Sequence, residues 1–139
     1  MVLGSDEPRR RFYGPPLQPE VPFDQLRVAV SEPLPGVLVV SPVGEVDVAT
    51  ASVLRRAGQQ AVEIASRAVV VDLDGLTFCG STGLVLLLEC RDAAVAAGLT
   101  FGTAGGPPIV RRVLDITGLN RLLGHGDSLE QVLAGQQVR

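Results

Sequence analysis

The sequence has no lysine, no tryptophan, a single histidine and only two cysteines. Without lysine the chain cannot contain the P-loop that holds nucleotide phosphates. His125, Cys79 and Cys90 cannot make up any of the usual zinc-ligand spacings, and we expect both thiols to be free and buried. These absences argue against a metalloenzyme, and we expect no bound cofactor.

Charge and aromatic content argue against nucleic-acid binding. Twelve basic residues against fifteen acidic ones give a net charge of −3, whereas neutralising phosphates requires a basic surface. Four phenylalanines and one tyrosine leave few rings on which bases could stack. No apolar run approaches the roughly 18 residues of a membrane span, and the N-terminus lacks the apolar core of a secretory signal. We therefore expect a cytoplasmic protein that binds neither nucleic acid nor membrane.

The chain length of 139 residues fits one domain. Residues 1–24 contain five of the ten prolines and three consecutive arginines, which predicts a flexible tail. We place a single folded domain at residues 25–135 and a short C-terminal tail at residues 136–139. The run of arginines is interpreted as solvated charge.

Within the folded part, a predicted hairpin is followed by alternating strands and helices. The predicted strands cover residues 26–30, 37–44, 68–73 and 99–104, with a turn at 31–36. The predicted helices cover residues 50–67, 84–98 and 107–118, and a short last helix has Asp127 or Ser128 as its cap. In the first helix the apolar residues at helical spacing are Val53, Leu54, Ala57, Ala61 and Ile64. This order predicts an α/β fold with a mixed, mainly parallel sheet, an N-terminal hairpin and flanking helices.

Two loops follow strands at the end of the sheet where functional groups gather in α/β proteins. They cover residues 43–47 and 78–84. In the first, Asp47 either caps a helix that starts near Val48 or lies across the sheet end from Ser81, where it polarises that hydroxyl or contacts a partner. Asp72 and Asp74 are interpreted as solvated loop carboxylates.

Ser81 stands between two apolar segments, and its sequence context does not fit a catalytic nucleophile. Gly80 precedes it directly, so the Gly-x-Ser-x-Gly elbow is absent, and nothing brings His125 to it. One interpretation is an N-cap, with Gly80 and Gly83 allowing the tight entry into the helix. The other is a phosphoacceptor, because a phosphate at a helix N-terminus faces free N–H groups and adds about −1.5 to −2 charges.

The helix after Ser81 has one mixed face. The residues that continue from Ser81 at steps of three and four are Val85, Glu89, Asp92 and Ala96. The residues expected on the opposite, buried face are Leu84, Leu87, Leu88 and Val95. Two interpretations stay open for the outer face: a solvated surface with a stray valine, or a partner-binding surface centred on Ser81.

Three segments, in this order and at fitting spacing, carry a family resemblance. They are residues 44–47 (GEVD), residues 70–73 (VVDL) leading to 78–84 (FCGSTGL), and residues 110–119 (VRRVLDITGL). Over about residues 25–124 the chain resembles the STAS domain family, specifically the bacterial anti-sigma factor antagonists. The resemblance implies that the protein is not an enzyme and that Ser81 accepts phosphate from an anti-sigma factor, itself a serine kinase that uses ATP. The unphosphorylated form would bind that kinase and so release a sigma factor, and a PP2C-type phosphatase would reset the switch.

The resemblance and the mixed helix face together predict a set of partner-binding residues. They are Asp47, Gly80, Ser81, Thr82, Gly83, Val85, Glu89 and Asp92. Many family members have aspartate where this chain has Gly80, so a carboxylate that could contact the kinase is missing. Thr82 is a secondary phosphorylation candidate. The alternative is a constitutive STAS interaction module without phosphorylation, and a third reading is a small-ligand sensor at the same sheet end.

Overall fold

The computed structural model describes residues 12–13 and 25–137, which form seven strands and five helices. The strands are β1 (Phe12–Tyr13), β2 (Leu26–Leu34), β3 (Val37–Val46), β4 (Ala68–Asp72), β5 (Leu76–Cys79), β6 (Thr100–Ala104) and β7 (His125–Gly126). The helices are α1 (Ala51–Ile64), α2 (Ser81–Ala96), α3 (Pro108–Thr117), α4 (Leu119–Leu122) and α5 (Leu129–Gln137). Apart from β1, the predicted N-terminal tail lies outside the described residues. Helix α5 extends two residues into the predicted C-terminal tail.

All seven strands belong to one sheet, in the order β1-β2-β3-β4-β6-β7, and β5 pairs with the second half of β3. The pairs β1–β2 and β2–β3 are antiparallel. The other four pairs, β3–β4, β3–β5, β4–β6 and β6–β7, are parallel. The predicted α/β fold with a mainly parallel sheet and an N-terminal hairpin is confirmed.

Three strands, β1, β5 and β7, were not predicted, and two predicted strands are longer than expected. Strand β5 includes Phe78 and Cys79, which we had assigned to a loop. Strand β7 contains only two residues, His125 and Gly126. Strand β2 continues through Leu34, so the predicted turn shrinks, and β3 continues to Val46. Strands this short have too few residues to show an apolar alternation. Their hydrogen bonds come from strands that are distant in the sequence, which a local pattern does not reveal.

The sheet is apolar on both faces. One face packs against α1 and α3 through buried Leu54 and Leu114, which share a core cluster with Val40. The opposite face is covered by α5, whose Leu129 packs against a second cluster that contains Val70. Burial on both faces explains why β4 is a continuous apolar run without alternation.

The helix predictions are confirmed in type, with differences at their ends and faces. In the predicted apolar stripe of α1, Leu54 is buried as expected, but Ile64 at the end of the helix is 37% exposed. Helix α3 starts after Pro107 and ends at Gly118, whose φ of 77° explains the glycine there. Ser128 is the residue that caps α5: its Oγ accepts the N–H of Gln131 at 3.1 Å.

Candidate partner-binding site

The two loops singled out in the sequence lie next to each other at the carboxyl edge of the sheet. Strand β5 runs parallel to β3, with Val46 opposite Cys79. The N–H of Gly80 donates to the carbonyl of Val46 at 3.4 Å, which continues the pairing one residue beyond the strand. Asp47 and Ser81 therefore follow directly from paired strands, as the parallel arrangement predicts.

Asp47 forms a turn with Thr50 and does not cap a helix that starts near Val48. Its Oδ1 accepts the N–H of Thr50 at 3.1 Å, and Thr50 Oγ1 accepts the N–H of Asp47 at 3.0 Å. The Thr50 hydroxyl also donates to the carbonyl of Glu45 at 2.9 Å. Helix α1 begins at Ala51, three residues after Val48, with Thr50 as its N-cap residue. No hydrogen bond joins Asp47 and Ser81, both of which are described.

Ser81 is the first residue of α2, and the predicted capping role is wrong. The N-cap position is taken by Gly80, which has extended backbone angles and no side chain to cap with. The carbonyl of Gly80 accepts the N–H groups of Gly83 and Leu84 at 3.0 and 3.2 Å. The Ser81 side chain is exposed, and its hydroxyl has no hydrogen-bond partner among the described residues. The hydroxyl is thus directed to solvent at the positive end of a sixteen-residue helix.

Gly83 is buried and holds this helix end against the sheet. A Cβ atom at Gly83 would lie 2.4 Å from Cys79 Sγ and 3.2 Å from Val46 Cγ1, so only glycine fits without displacement. Within the predicted partner-binding set, Gly83 therefore contributes by positioning Ser81 rather than by exposed contact area. Thr82 is half-buried, which leaves Ser81 as the more accessible hydroxyl.

The predicted outer face of α2 is exposed. Val85 is 51% exposed, and Glu89, Asp92 and Ala96 are exposed as well. Glu89 pairs with Arg55 of α1 at 3.1 Å, and Asp92 pairs with its neighbour Arg91 at 3.1 Å. The surface around Ser81 is therefore apolar near the hydroxyl and acidic further along the helix.

The prediction for the opposite face of α2 is partly wrong. Val95 is 51% exposed, whereas Leu86, which we had not assigned, is 4% exposed and belongs to the core. Leu87 is buried as expected, and Leu84 and Leu88 are half-buried. Helix α2 packs against both the sheet and α1. Its buried residues therefore face two neighbouring elements and do not form a single apolar stripe.

Sequence reasoning missed one exposed residue next to the site, Val48. It stands two residues beyond Val46, in the turn before α1, and is 82% exposed. An apolar residue inside a turn is unusual enough to be a signal, because turns favour polar residues and glycine. Val48, in the turn before α1, and Val85, one helical turn after Ser81 in α2, are thus exposed apolar side chains on the two elements that carry the predicted site.

Other polar groups at this edge of the sheet are bonded within the fold. Asp74 is exposed, as expected of a loop carboxylate, and its Oδ1 also accepts the N–H of Gly106 at 2.8 Å, which ties the loop after β6 in place. Asp72 Oδ1 accepts the N–H of Asp74, and burial raises the pKa of Asp72. His125 lies in β7, and its Nδ1 is 2.9 Å from Thr103 Oγ1. Strands β4 and β6 stand between β7 and β3 in the sheet, so His125 is not next to the loop that follows β3.

Both cysteines are free thiols, as predicted, although each is half-buried rather than buried. Burial raises the pKa of the Cys79 thiol, and it raises the pKa of the Cys90 thiol to about 11. Both are therefore neutral at pH 7 and poor nucleophiles. Among the described residues, no group of three or more histidine, cysteine, aspartate or glutamate side chains is arranged to hold a metal ion. The described helices are also too short or too polar to cross a membrane.

This fold and the order of its loops define a family. A family model described as "Mlab, STAS domain" matches residues 33–124, well over half of the chain. The chain belongs to the STAS domain family, which confirms the resemblance seen in the sequence.

Two relatives and one more distant structure illustrate the comparison. The anti-sigma-F factor antagonist RsfB of Mycobacterium tuberculosis (strain H37Rv) is 31% identical over 100 residues, covering 72% of this chain and 81% of RsfB. The crystal structure of an anti-sigma factor antagonist from Mycobacterium paratuberculosis superposes with a TM-score of 0.73 at 31% identity, covering 81% of this chain and 95% of the other. The Bacillus cell fate determinant SpoIIAA in its phosphorylated form has a TM-score of 0.61 at 22% identity, covering 81% of this chain and all of SpoIIAA, and shares the fold.

Proposed function

We propose that this protein is an anti-sigma factor antagonist whose binding to an anti-sigma factor serine kinase is switched off by phosphorylation of Ser81. In this scheme the protein is not an enzyme. It supplies a hydroxyl and a docking surface, and the kinase supplies ATP and the catalytic residues. A PP2C-type phosphatase removes the phosphate, and all three proteins act in the cytoplasm.

The observation that carries the proposal is the state of the Ser81 hydroxyl. It is exposed at the first residue of α2, and it makes no hydrogen bond with the described residues, whereas Asp47 and Thr50 in the neighbouring loop bond to each other. A kinase can reach such a hydroxyl without breaking any internal contact. The relatives RsfB and the M. paratuberculosis protein, both described as anti-sigma factor antagonists, support the choice of partner.

The surroundings of Ser81 explain how one phosphate could weaken a complex. Val48 and Val85 are 82% and 51% exposed, and a partner that covers Val85 and the first turn of α2 also removes water from the Ser81 hydroxyl. A phosphoryl group adds about −1.5 to −2 charges at that position, and burying an unpaired charge is strongly unfavourable. The helix itself tolerates the phosphate, because free N–H groups at its first turn favour an anion.

The remaining residues of the set, of which Glu89 and Asp92 are exposed and the others half-buried, complete the docking surface. Glu89 and Asp92 extend it along α2, Asp47 and Gly80 form its edge at the sheet, and Thr82 is the secondary phosphorylation candidate. An acidic surface with apolar residues near its centre fits a partner face that is basic at its rim.

The second candidate function is a constitutive STAS interaction module that is not phosphorylated. It is favoured by Gly80, which leaves no carboxylate directly before the serine, and by the hydrogen bonds that engage Asp47 with Thr50. On this alternative the same surface binds a partner, but no kinase modifies Ser81.

The experiment begins with immobilised Ser81→Ala protein as bait, since a variant that cannot be phosphorylated should retain the kinase. The captured protein is identified by mass spectrometry, purified, and its affinity is measured by calorimetry for wild type, Ser81→Ala and Ser81→Glu. We expect Ser81→Ala to bind as wild type does and Ser81→Glu to bind at least about tenfold more weakly.

The matched control is Ser66→Glu, which adds the same charge at an exposed serine beside the β2–β3 turn, at the opposite end of the sheet. It should bind as tightly as wild type. If Ser81→Glu also bound as tightly as wild type, the phosphorylation switch would be wrong. If the purified partner were not an anti-sigma factor, the proposed function itself would be wrong.

A further inference from the structure

A partly open apolar cleft of about 100 Å³ lies between α1 and α2, away from Ser81. Its floor is formed by Val40 of β3 and Val71 of β4. The residues that line its walls are Leu54, Gly58, Leu86, Leu87, Cys90 and Ala93. The volume is several times the roughly 10–15 Å³ that one water molecule needs, yet the lining offers water few hydrogen-bond partners.

Polar groups are confined to the mouth of the cleft. They are Arg55, Gln59 and Glu89. Arg55 Nε donates to Glu89 Oε1 at 3.1 Å, and the two terminal nitrogens of Arg55 have no partner among the described residues. The two side chains are 45% and 48% exposed, so their ion pair is screened by water and contributes little to stability. Opening this pair is therefore easy, and it leaves a guanidinium beside an apolar cavity.

From this arrangement we propose that the cleft binds a small monocarboxylate with a short apolar tail. The tail lies in the cleft over the buried side chains of Val71 and Leu86, beside Cys90, and the carboxylate pairs with the Arg55 guanidinium in place of Glu89. A planar guanidinium matches a carboxylate with two parallel hydrogen bonds, which a single Nε contact to Glu89 does not use. A somewhat larger apolar cavity is known to take up benzene, so the tail has roughly four to six carbons.

Two further features agree with this class of ligand. The Cys90 thiol, whose pKa burial raises to about 11, is neutral at pH 7 and does not repel a carboxylate. Gly58 stands inside α1, where glycine is unfavourable for a helix, and an added Cβ would lie 3.3 Å from Cys90 Sγ. Glycine at this position keeps the wall of the cleft thin.

The test uses the full-length protein labelled with ¹⁵N and titrated with butanoate, pentanoate and hexanoate. We expect saturable shifts of the amide signals of Gly58, Cys90 and Ala93, with a dissociation constant for hexanoate on the order of 1 mM. Each added methylene should tighten binding about fourfold. Hexanol and hexylamine should bind more weakly than hexanoate, because neither carries a carboxylate.

Variants separate the two parts of the proposal. Gly58→Ala should weaken hexanoate binding at least about fivefold by narrowing the cleft, whereas Gly135→Ala, where an added Cβ meets nothing within 4 Å, should leave it unchanged. Arg55→Gln should weaken it similarly. Glu89→Gln should strengthen it, because the competing carboxylate of the protein is removed.

The melting temperature of each variant shows that it is folded before its binding is compared. Absence of a saturable shift with hexanoate would overturn the proposal. Equal binding of hexanol, or tighter binding of hexylamine that is lost in Glu89→Gln, would overturn the assignment of the carboxylate to Arg55. These outcomes do not depend on Ser81 or on any partner protein.

Discussion

The two loops that lead into α1 and α2 follow neighbouring parallel strands, yet they use their polar side chains in opposite ways. In the loop before α1, Asp47 and Thr50 exchange two hydrogen bonds, and Thr50 donates a third to Glu45. In the loop before α2, the N-cap is Gly80 and the exposed Ser81 hydroxyl bonds to no described residue.

The difference fits a structural role for the loop before α1 and the proposed functional role for the loop before α2. Thr50 is 1% exposed, and its hydroxyl fixes the start of α1 from inside the fold. Ser81 could be replaced without loss of any internal hydrogen bond, which fits the proposed role as an acceptor of phosphate. The position of Ser81 is nevertheless fixed by the fold, because buried Gly83, two residues further along, packs the start of α2 closely against the sheet.

Gly83→Ala should have the largest effect on stability, because it pushes the start of α2 away from the sheet. The new Cβ meets Cys79 Sγ, and overpacking of this kind lowers the free energy of unfolding by about 3 kcal/mol despite the better helix propensity of alanine. Urea denaturation measures the loss. The control Gly135→Ala, where the new Cβ has open space, should not be destabilised. A Gly83→Ala protein as stable as wild type would mean that glycine is not required to seat α2.

Thr50→Val should have the next largest effect on stability. Valine keeps the shape of threonine but removes the hydroxyl, leaving the partly buried N–H of Asp47 without that acceptor, so the free energy of unfolding should fall by about 2 kcal/mol. Thr77→Val, at an exposed threonine of β5, is the control and should change stability by less than about 0.5 kcal/mol. Equal losses in the two variants would contradict the structural role of the first loop.

A third polar group at the same edge of the sheet, His125, should affect the pH dependence of the free energy of unfolding. Burial lowers the pKa of His125 below its ordinary value of 6.5, and nearby Arg111 adds to the shift, against the opposing charges of Asp127 and Asp115. The unfolded chain therefore binds a proton more readily than the folded one, so stability is complete above about pH 6.5 and falls as the pH drops below that value. Urea denaturation between about pH 7.5 and 5.5 should show this slope, and His125→Asn should flatten it. Identical slopes in both proteins would show that His125 does not titrate in this range.

Ser81→Ala should have the smallest effect on the isolated protein. Because the hydroxyl has no internal partner, the free energy of unfolding should change by less than about 0.5 kcal/mol. The same urea experiment checks it against Thr50→Val. A loss near that of Thr50→Val would mean that Ser81 caps its helix after all, and the contrast between the two loops would disappear.

Much of the fold could be predicted from the sequence because its signals are local. Helix α3 is bounded by Pro107 and Gly118, and β4 is a continuous apolar run, so both could be recognised without knowledge of their neighbours. The neighbourhood of Asp47 and Ser81 followed from the rule that parallel strands end at one edge of the sheet. The exposed face of α2 followed from helical spacing.

The parts that could not be predicted depend on distant partners. Strand β5 exists because three of its four residues pair with β3, and Asp74 reaches the N–H of Gly106, thirty-two residues further along the chain. The reciprocal bonds of Asp47 and Thr50 delay the start of α1, which a list of preferred capping residues does not reveal. Ser81 is itself a preferred capping residue, and only the backbone shows that it stands one position too late to cap.

The most direct test of the free hydroxyl is the intact mass of the protein after incubation with the purified partner and ATP. The account predicts that wild type gains one phosphate, that peptide mapping places it on Ser81, and that Ser81→Ala gains none. Thr82→Val, at the half-buried neighbouring hydroxyl, should gain the phosphate as wild type does. A phosphate that persists in Ser81→Ala, or a wild-type protein that is never modified by a partner it binds tightly, would contradict the phosphorylation switch.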